Sequence, residues 1–69
     1  MKTNIKRLRK EMNLSQEQLA NEVGTTRQTI TSIECEKYTA SLQLAFKIST
    51  FFNKSVEEVF IMDIDDYEL

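Results

Sequence analysis

Arg27 and Gln28 stand side by side in the chain, followed at helical spacing by Thr31 and Ser32. A guanidinium and a carboxamide are side-chain ends that can engage two atoms of a base edge at once: arginine donates to guanine O6 and N7, glutamine pairs with adenine N7 and N6, and a threonine methyl can rest on a thymine methyl. Within Arg27 to Glu34 the apolar residues are Ile30 and Ile33. At about 100° per residue, with Arg27 at 0°, they fall at about 300° and about 240°, so the buried direction lies at about 270°. The opposite direction is closest to Gln28 at about 100°, Thr31 at about 40° and Ser32 at about 140°. Arg27 lies on the flank, long enough to reach a phosphate or a guanine edge, and Thr29, at about 200°, is half turned to the core. Such a face suits the major groove of duplex DNA; the plain alternative is a solvated polar surface.

Other chemistries have little to work with. The chain has no histidine, one cysteine (Cys35) and one glycine (Gly24). A metal cluster lacks ligands, a phosphate-cradling loop lacks glycines, and nucleophilic catalysis lacks its usual imidazole base, so no metal, no cofactor and no enzymatic activity are expected. Cys35 has no second cysteine to resolve an oxidised intermediate, and it reads as an inert thiol rather than an oxidant sensor. Phe46, Phe51 and Phe52 read as core or interface, not as platforms for single-stranded bases.

Five short helices are needed to position these residues. Ile5, Leu8 and Met12 share one face of a first helix over residues 4–12, while Lys6, Arg7, Arg9 and Lys10 cover the other, either as plain charged surface or as phosphate contacts. Ser15-Gln16-Glu17-Gln18 forms a capping box opening a second helix, with Leu19, Ala20 and Val23 on its inner face and Gly24 closing it. Gln16 sits in the first turn, where backbone amides and the helix dipole favour a phosphate. Thr26 caps the third helix, and the turn is so short that the two helices must cross steeply, as in a helix-turn-helix. Ser41 caps a fourth helix through Leu42, Leu44, Ala45, Ile48 and Phe52, and Ser55 to Glu58 is a second capping box opening a fifth. Phe60, Met62 and Ile64 alternate, which suggests a short strand that Met1 to Thr3 could pair with. The expected class is all-α: a single five-helix domain over residues 1–69, with a terminal two-stranded β-pair as an addition.

Leu14-Ser15-Gln16-Glu17-Gln18-Leu19-Ala20, then Gly24-Thr25-Thr26-Arg27-Gln28-Thr29-Ile30, then Ile33-Glu34 and Lys37-Tyr38, resemble the Cro/phage-repressor (xenobiotic response element) helix-turn-helix family over residues 4–60. In size the chain is most similar to the small stand-alone dimeric repressors of Gram-positive bacteria, of the cytolysin-repressor kind. The resemblance implies a recognition helix at residues 27–35, Gln16 on a phosphate while supporting Gln28 on a base, and DNA contacts by Thr26, Arg27, Gln28, Thr29, Thr31, Ser32 and the loop residues Lys37, Tyr38 and Thr39. Glu34 matches a position that usually pairs internally, with Arg9 the natural partner. Two stretches depart from the pattern. Where the family commonly has Glu-Asn-Gly-Lys the chain has Glu34-Cys35-Glu36-Lys37, so a non-glycine residue is expected to turn a left-handed corner; where Tyr-Asn-Pro-Ser is common it has Tyr38-Thr39-Ala40-Ser41.

Charge is divided along the chain: residues 1–54 hold all nine Lys/Arg and are net +4, residues 55–69 are net −6. This separation suits a nucleic-acid face and a solubilising end. The first three helices supply enough apolar residues for a core of this size, so part of the apolar content of residues 42–64 must lie on the surface, where a two-fold dimer would cover it. Phe51, Phe52, Phe60, Met62 and Ile64 are the expected interface residues, with Phe51 and Phe52 divided between core and contact. The reading is a cytoplasmic, nucleoid-associated repressor that binds a near-palindromic duplex operator as a homodimer, without membrane attachment. The alternative is an antitoxin-like, partner-controlled interaction module in which DNA binding is secondary.

Overall fold

In the computed structural model, which describes residues 1–62 of the chain, helix α1 (Ile5–Glu11) buries Ile5, Leu8 and Arg9. It ends where Asn13 adopts a left-handed φ of 56°, with Asn13 N–H donating to the Lys10 carbonyl and Leu14 N–H to the Arg9 carbonyl, the paired bonds of a Schellman ending. This ending corrects two expectations. Met12 becomes the cap residue and is 50% exposed rather than part of the core stripe, because the helix stops before the stripe reaches it. Arg9 is buried, at 8% exposure, rather than on the outer basic face; at i+4 from Ile5 it shares the inward stripe.

Helix α2 (Gln16–Val23) opens on the expected capping box, Gln18 N–H donating to Ser15 Oγ at 3.0 Å and Ser15 N–H to Gln18 Oε1 at 2.8 Å. It buries Leu19, Ala20 and Val23 and closes on Gly24 at φ 73°, a conformation that costs glycine nothing. Only Gly24 to Thr26 separate it from helix α3 (Arg27–Glu34), whose cap Thr26 accepts from Thr29 N–H at 3.2 Å. Ile30 and Ile33 of α3 are essentially inaccessible.

Helix α4 (Leu42–Phe51) is capped by Ser41 and packs Ala45 and Ile48 inward, and helix α5 (Val56–Val59) is capped by Ser55. Strand β1 (Lys2–Thr3) pairs antiparallel with strand β2 (Phe60–Ile61), Lys2 opposite Ile61 and Thr3 opposite Phe60. Asn4 reinforces this closure, its backbone N–H donating to the Val59 carbonyl and its side chain to the Glu58 carbonyl. The terminal pairing read from alternation is therefore present, but with another division of faces. Phe60 is buried in the chain's own core, while Ile61 and Met62 are exposed; Ile64 lies outside the described residues. Phe52 joins the core, Phe51 is half-buried, and their rings meet edge to face at 5.2 Å. Leu14, in the turn between α1 and α2, is half-buried. Among the described residues no helix is long and apolar enough to cross a membrane.

Candidate nucleic-acid interface

An ion pair between α1 and the last turn of α3 braces the interface. Arg9 donates from Nε to Glu34 Oε2 at 2.8 Å and from Nη2 to Glu34 Oε1 at 3.1 Å, while its Nη1 takes the Leu14 carbonyl at 2.8 Å. The fork of the guanidinium meets both carboxylate oxygens, the geometry in which a charge-assisted pair is strongest. Their side chains are 10% and 6% exposed, so little water screens the pair. It joins α1 to the last turn of α3 and to the loop before α2, fixing the angle at which α3 is held out. The expectation that Glu34 pairs with Arg9 is met.

The pair continues into α2 and back to α3. Gln16 donates from Nε2 to Glu34 Oε1 at 3.1 Å, and Thr31 donates its hydroxyl to Gln16 Oε1 at 2.9 Å. The Thr31 hydroxyl also lies 3.0 Å from the Arg27 carbonyl, one helical turn back. Gln16 is thus joined to Glu34 and Thr31 rather than to Gln28, the residue the family resemblance implies that it supports.

The outer face of α3 is polar. Arg27 and Gln28 are exposed, Thr31 and Ser32 half-exposed, and Thr29 is half-buried as its wheel position implied. The Thr29 hydroxyl lies 3.0 Å from Thr26 Oγ1, within the N-cap. Thr26, Gln28, Thr29, Ser32, Lys37 and Tyr38 line one shallow notch of about 250 Å³ between α3 and the following loop. Arg27, Gln16 and Thr31 lie outside this notch, and Thr39 is exposed further along the loop.

The loop is aimed by the end of α3. Glu36 takes φ 63°, its N–H donates to the Ile33 carbonyl and Lys37 N–H to the Ser32 carbonyl. This is the left-handed corner expected at a non-glycine residue, and it stores strain that glycine would not. Cys35, the cap before it, is exposed.

The wheel of α3 could not reveal the Thr31 to Gln16 bond, since its partner lies 15 positions earlier on another helix. The burial of Arg9 has a local signal in its i+4 spacing from Ile5, which the usual exposure of arginine masks.

Residues 5–59 match the helix-turn-helix family. An HTH-type transcriptional regulator of Archaeoglobus fulgidus is 46% identical over 66 residues, covering 96% of this chain and 93% of that protein. One from Methanocaldococcus jannaschii is 48% identical over 66 residues, covering 96% of this chain and all of that protein. The regulator YgzD of Bacillus subtilis is 44% identical over 63 residues, covering 91% of this chain and 96% of that protein. With the helix-turn-helix geometry in place and a match that runs from α1 through α5, the chain belongs to the helix-turn-helix family.

Proposed function

We propose that the protein is a transcriptional repressor that acts in the cytoplasm by occupying a near-palindromic duplex DNA operator as a homodimer. The observation that carries the DNA-binding part is the outward polar face of α3, where Arg27 and Gln28 are exposed beside the notch reaching Lys37 and Tyr38. In this reading Arg27 and Gln28 meet base edges, with Ser32 beside them, while Gln16, Thr26, Lys37, Tyr38 and Thr39 meet the sugar-phosphate backbone. Selection of bound duplexes from a random pool tests it: a recovered consensus with two-fold symmetry supports the reading, and recovery without any sequence preference refutes it.

The dimer part draws on the apolar surface at the start of α4, α5 and β2. Leu42 is 71% exposed, Ile61 42% and Met62 41%, and with Ala40, Val56 and Phe60 they border a groove of about 500 Å³. A second copy seated on this face would remove it from water by a self-complementary contact. In such a dimer two recognition helices about 34 Å apart would reach successive major grooves. Sedimentation at micromolar concentration should give a dimer that Leu42→Asp or Met62→Asp dissociates. A monomer unaffected by either change would instead favour the second reading, in which this groove takes a controlling partner protein.

A further inference from the structure

We propose that Thr31 is a positioning residue of the DNA-binding surface: by donating its hydroxyl proton to Gln16 Oε1, it holds the Gln16 amide so that the second Nε2 proton is presented to a backbone phosphate. The inference rests on the phosphate contact assigned to Gln16 above. It departs from the wheel reading, in which Thr31 faces the bases.

The hydrogen-bond inventory carries the argument. A carboxamide has one acceptor end and one end with two donors, and rotation by half a turn exchanges them. Ionised Glu34 only accepts, so the Gln16 atom 3.1 Å from Glu34 Oε1 must be Nε2. That leaves Oε1 facing the Thr31 hydroxyl at 2.9 Å, where the hydroxyl must donate. The opposite amide orientation would set oxygen against carboxylate and waste the Thr31 proton. Glu34 is itself held by the buried guanidinium of Arg9, so the chain of bonds runs from the core to the surface with each direction determined. One Nε2 proton is used, and the other finds no partner among the described residues.

Thr31 has little polarity left for a base. Its single hydroxyl proton is shared between Gln16 Oε1 and the Arg27 carbonyl at 3.0 Å, so the oxygen lies toward α2 and its own backbone. Toward a base Thr31 has no donor left, only an oxygen lone pair and its methyl group.

The test compares Gln16→Ala, Thr31→Val, Thr31→Ser and the Gln16→Ala/Thr31→Val double variant on two duplexes of about 20 base pairs, roughly two helical turns, one of mixed sequence and one recovered by selection. Valine keeps the shape and removes the donor, whereas serine keeps the donor; Thr31→Ala repeats the loss of donor in a better helix former should the valine variant fail to fold. Thr31→Val is expected to weaken binding about two- to tenfold, the worth of one hydrogen bond, by the same factor on both duplexes. Thr31→Ser should bind as the unaltered protein does, and the double variant no more weakly than Gln16→Ala. In nuclear magnetic resonance spectra of the free protein, the Gln16 side-chain amide signals should move in Thr31→Val and return in Thr31→Ser. Thr31→Val without effect, where Gln16→Ala weakens binding, overturns the role of Thr31 alone. A Thr31→Val loss confined to the selected duplex makes Thr31 a base contact and overturns the proposal. Gln16→Ala without effect on either duplex overturns the phosphate contact and the proposal with it.

Discussion

Glu34→Ala should be among the most damaging single changes in this protein. It removes both carboxylate oxygens from the Arg9 guanidinium, at 2.8 and 3.1 Å, leaving a charge whose side chain is 10% exposed with only the Leu14 carbonyl at 2.8 Å. It also takes from Gln16 the acceptor of its Nε2. Breaking a buried pair from one side costs about 3 to 5 kcal/mol, most of it the desolvation of the stranded partner. At about 0.05 to 0.15 kcal/mol per residue, a chain of 69 residues has total stability of about 3 to 10 kcal/mol. The variant should thus lose much of its stability, and at about 4 to 8 °C per kcal/mol its melting temperature should fall by about 12 °C or more. Arg9→Met/Glu34→Leu removes both charges and should be more stable than either single change, since neither partner is left unpaired. Urea and thermal unfolding followed by circular dichroism measure the unaltered protein, Glu34→Ala, Arg9→Met, Glu34→Leu and the double variant. A loss below about 1 kcal/mol for Glu34→Ala, as for a solvent-exposed pair, or strict additivity in the double variant, would refute this reasoning.

Glu36→Gly should raise stability by about 0.5 to 1 kcal/mol by relieving the left-handed φ of 63°, whereas Gly24→Ala at φ 73°, where an added Cβ would meet nothing within 4 Å, should lower it by about 1 kcal/mol through backbone strain alone; thermal unfolding reads both. Ser49→Ala should stabilise by about 1 kcal/mol in urea unfolding, because Ser49 Oγ is buried without a hydrogen-bond partner among the described residues. Gln28→Ala should cost about 1 to 3 kcal/mol on a selected duplex and little on random sequence, while Lys37→Ala should weaken both and reduce the log-log salt slope by about one unit. The Glu58 carboxyl is held below its ordinary value of 4.5 by the Ser55 backbone N–H, then by the Ser55 hydroxyl, against an opposing effect of burial, with the nearby Lys54 charge contributing least. Its lowered value means that the stability from this capping box is present above about pH 4.5 and is lost as pH falls through the lowered value; Glu58→Gln should flatten that part of an acid unfolding curve, and an unchanged acid limb would contradict the assignment.

The parts of this protein that its sequence determined are those whose causes lie within a few residues. Ser15, Thr26, Ser41 and Ser55 each cap the helix that follows, since a short side-chain oxygen reaches only the amides of the next turn. Gly24 marks the tight turn between α2 and α3, and Ile30 with Ile33 orients α3 so that Arg27 and Gln28 are exposed, because a helical period converts spacing directly into direction. Even the strained corner at Glu36 could be anticipated from a missing glycine. Tertiary structure alone decided how the polar groups are shared. The Glu34 to Arg9 pair spans 25 positions and the Thr31 to Gln16 bond 15, and which of several compatible donors meets an acceptor depends on where two helices cross. The same holds for Phe60: alternation set it on one face of the strand with Met62, but the turn out of α5 and the pairing with Lys2–Thr3 put its ring into the core and left Ile61 and Met62 outside. A two-residue strand is too short for its own pattern to orient it, so the surface it meets assigns its faces.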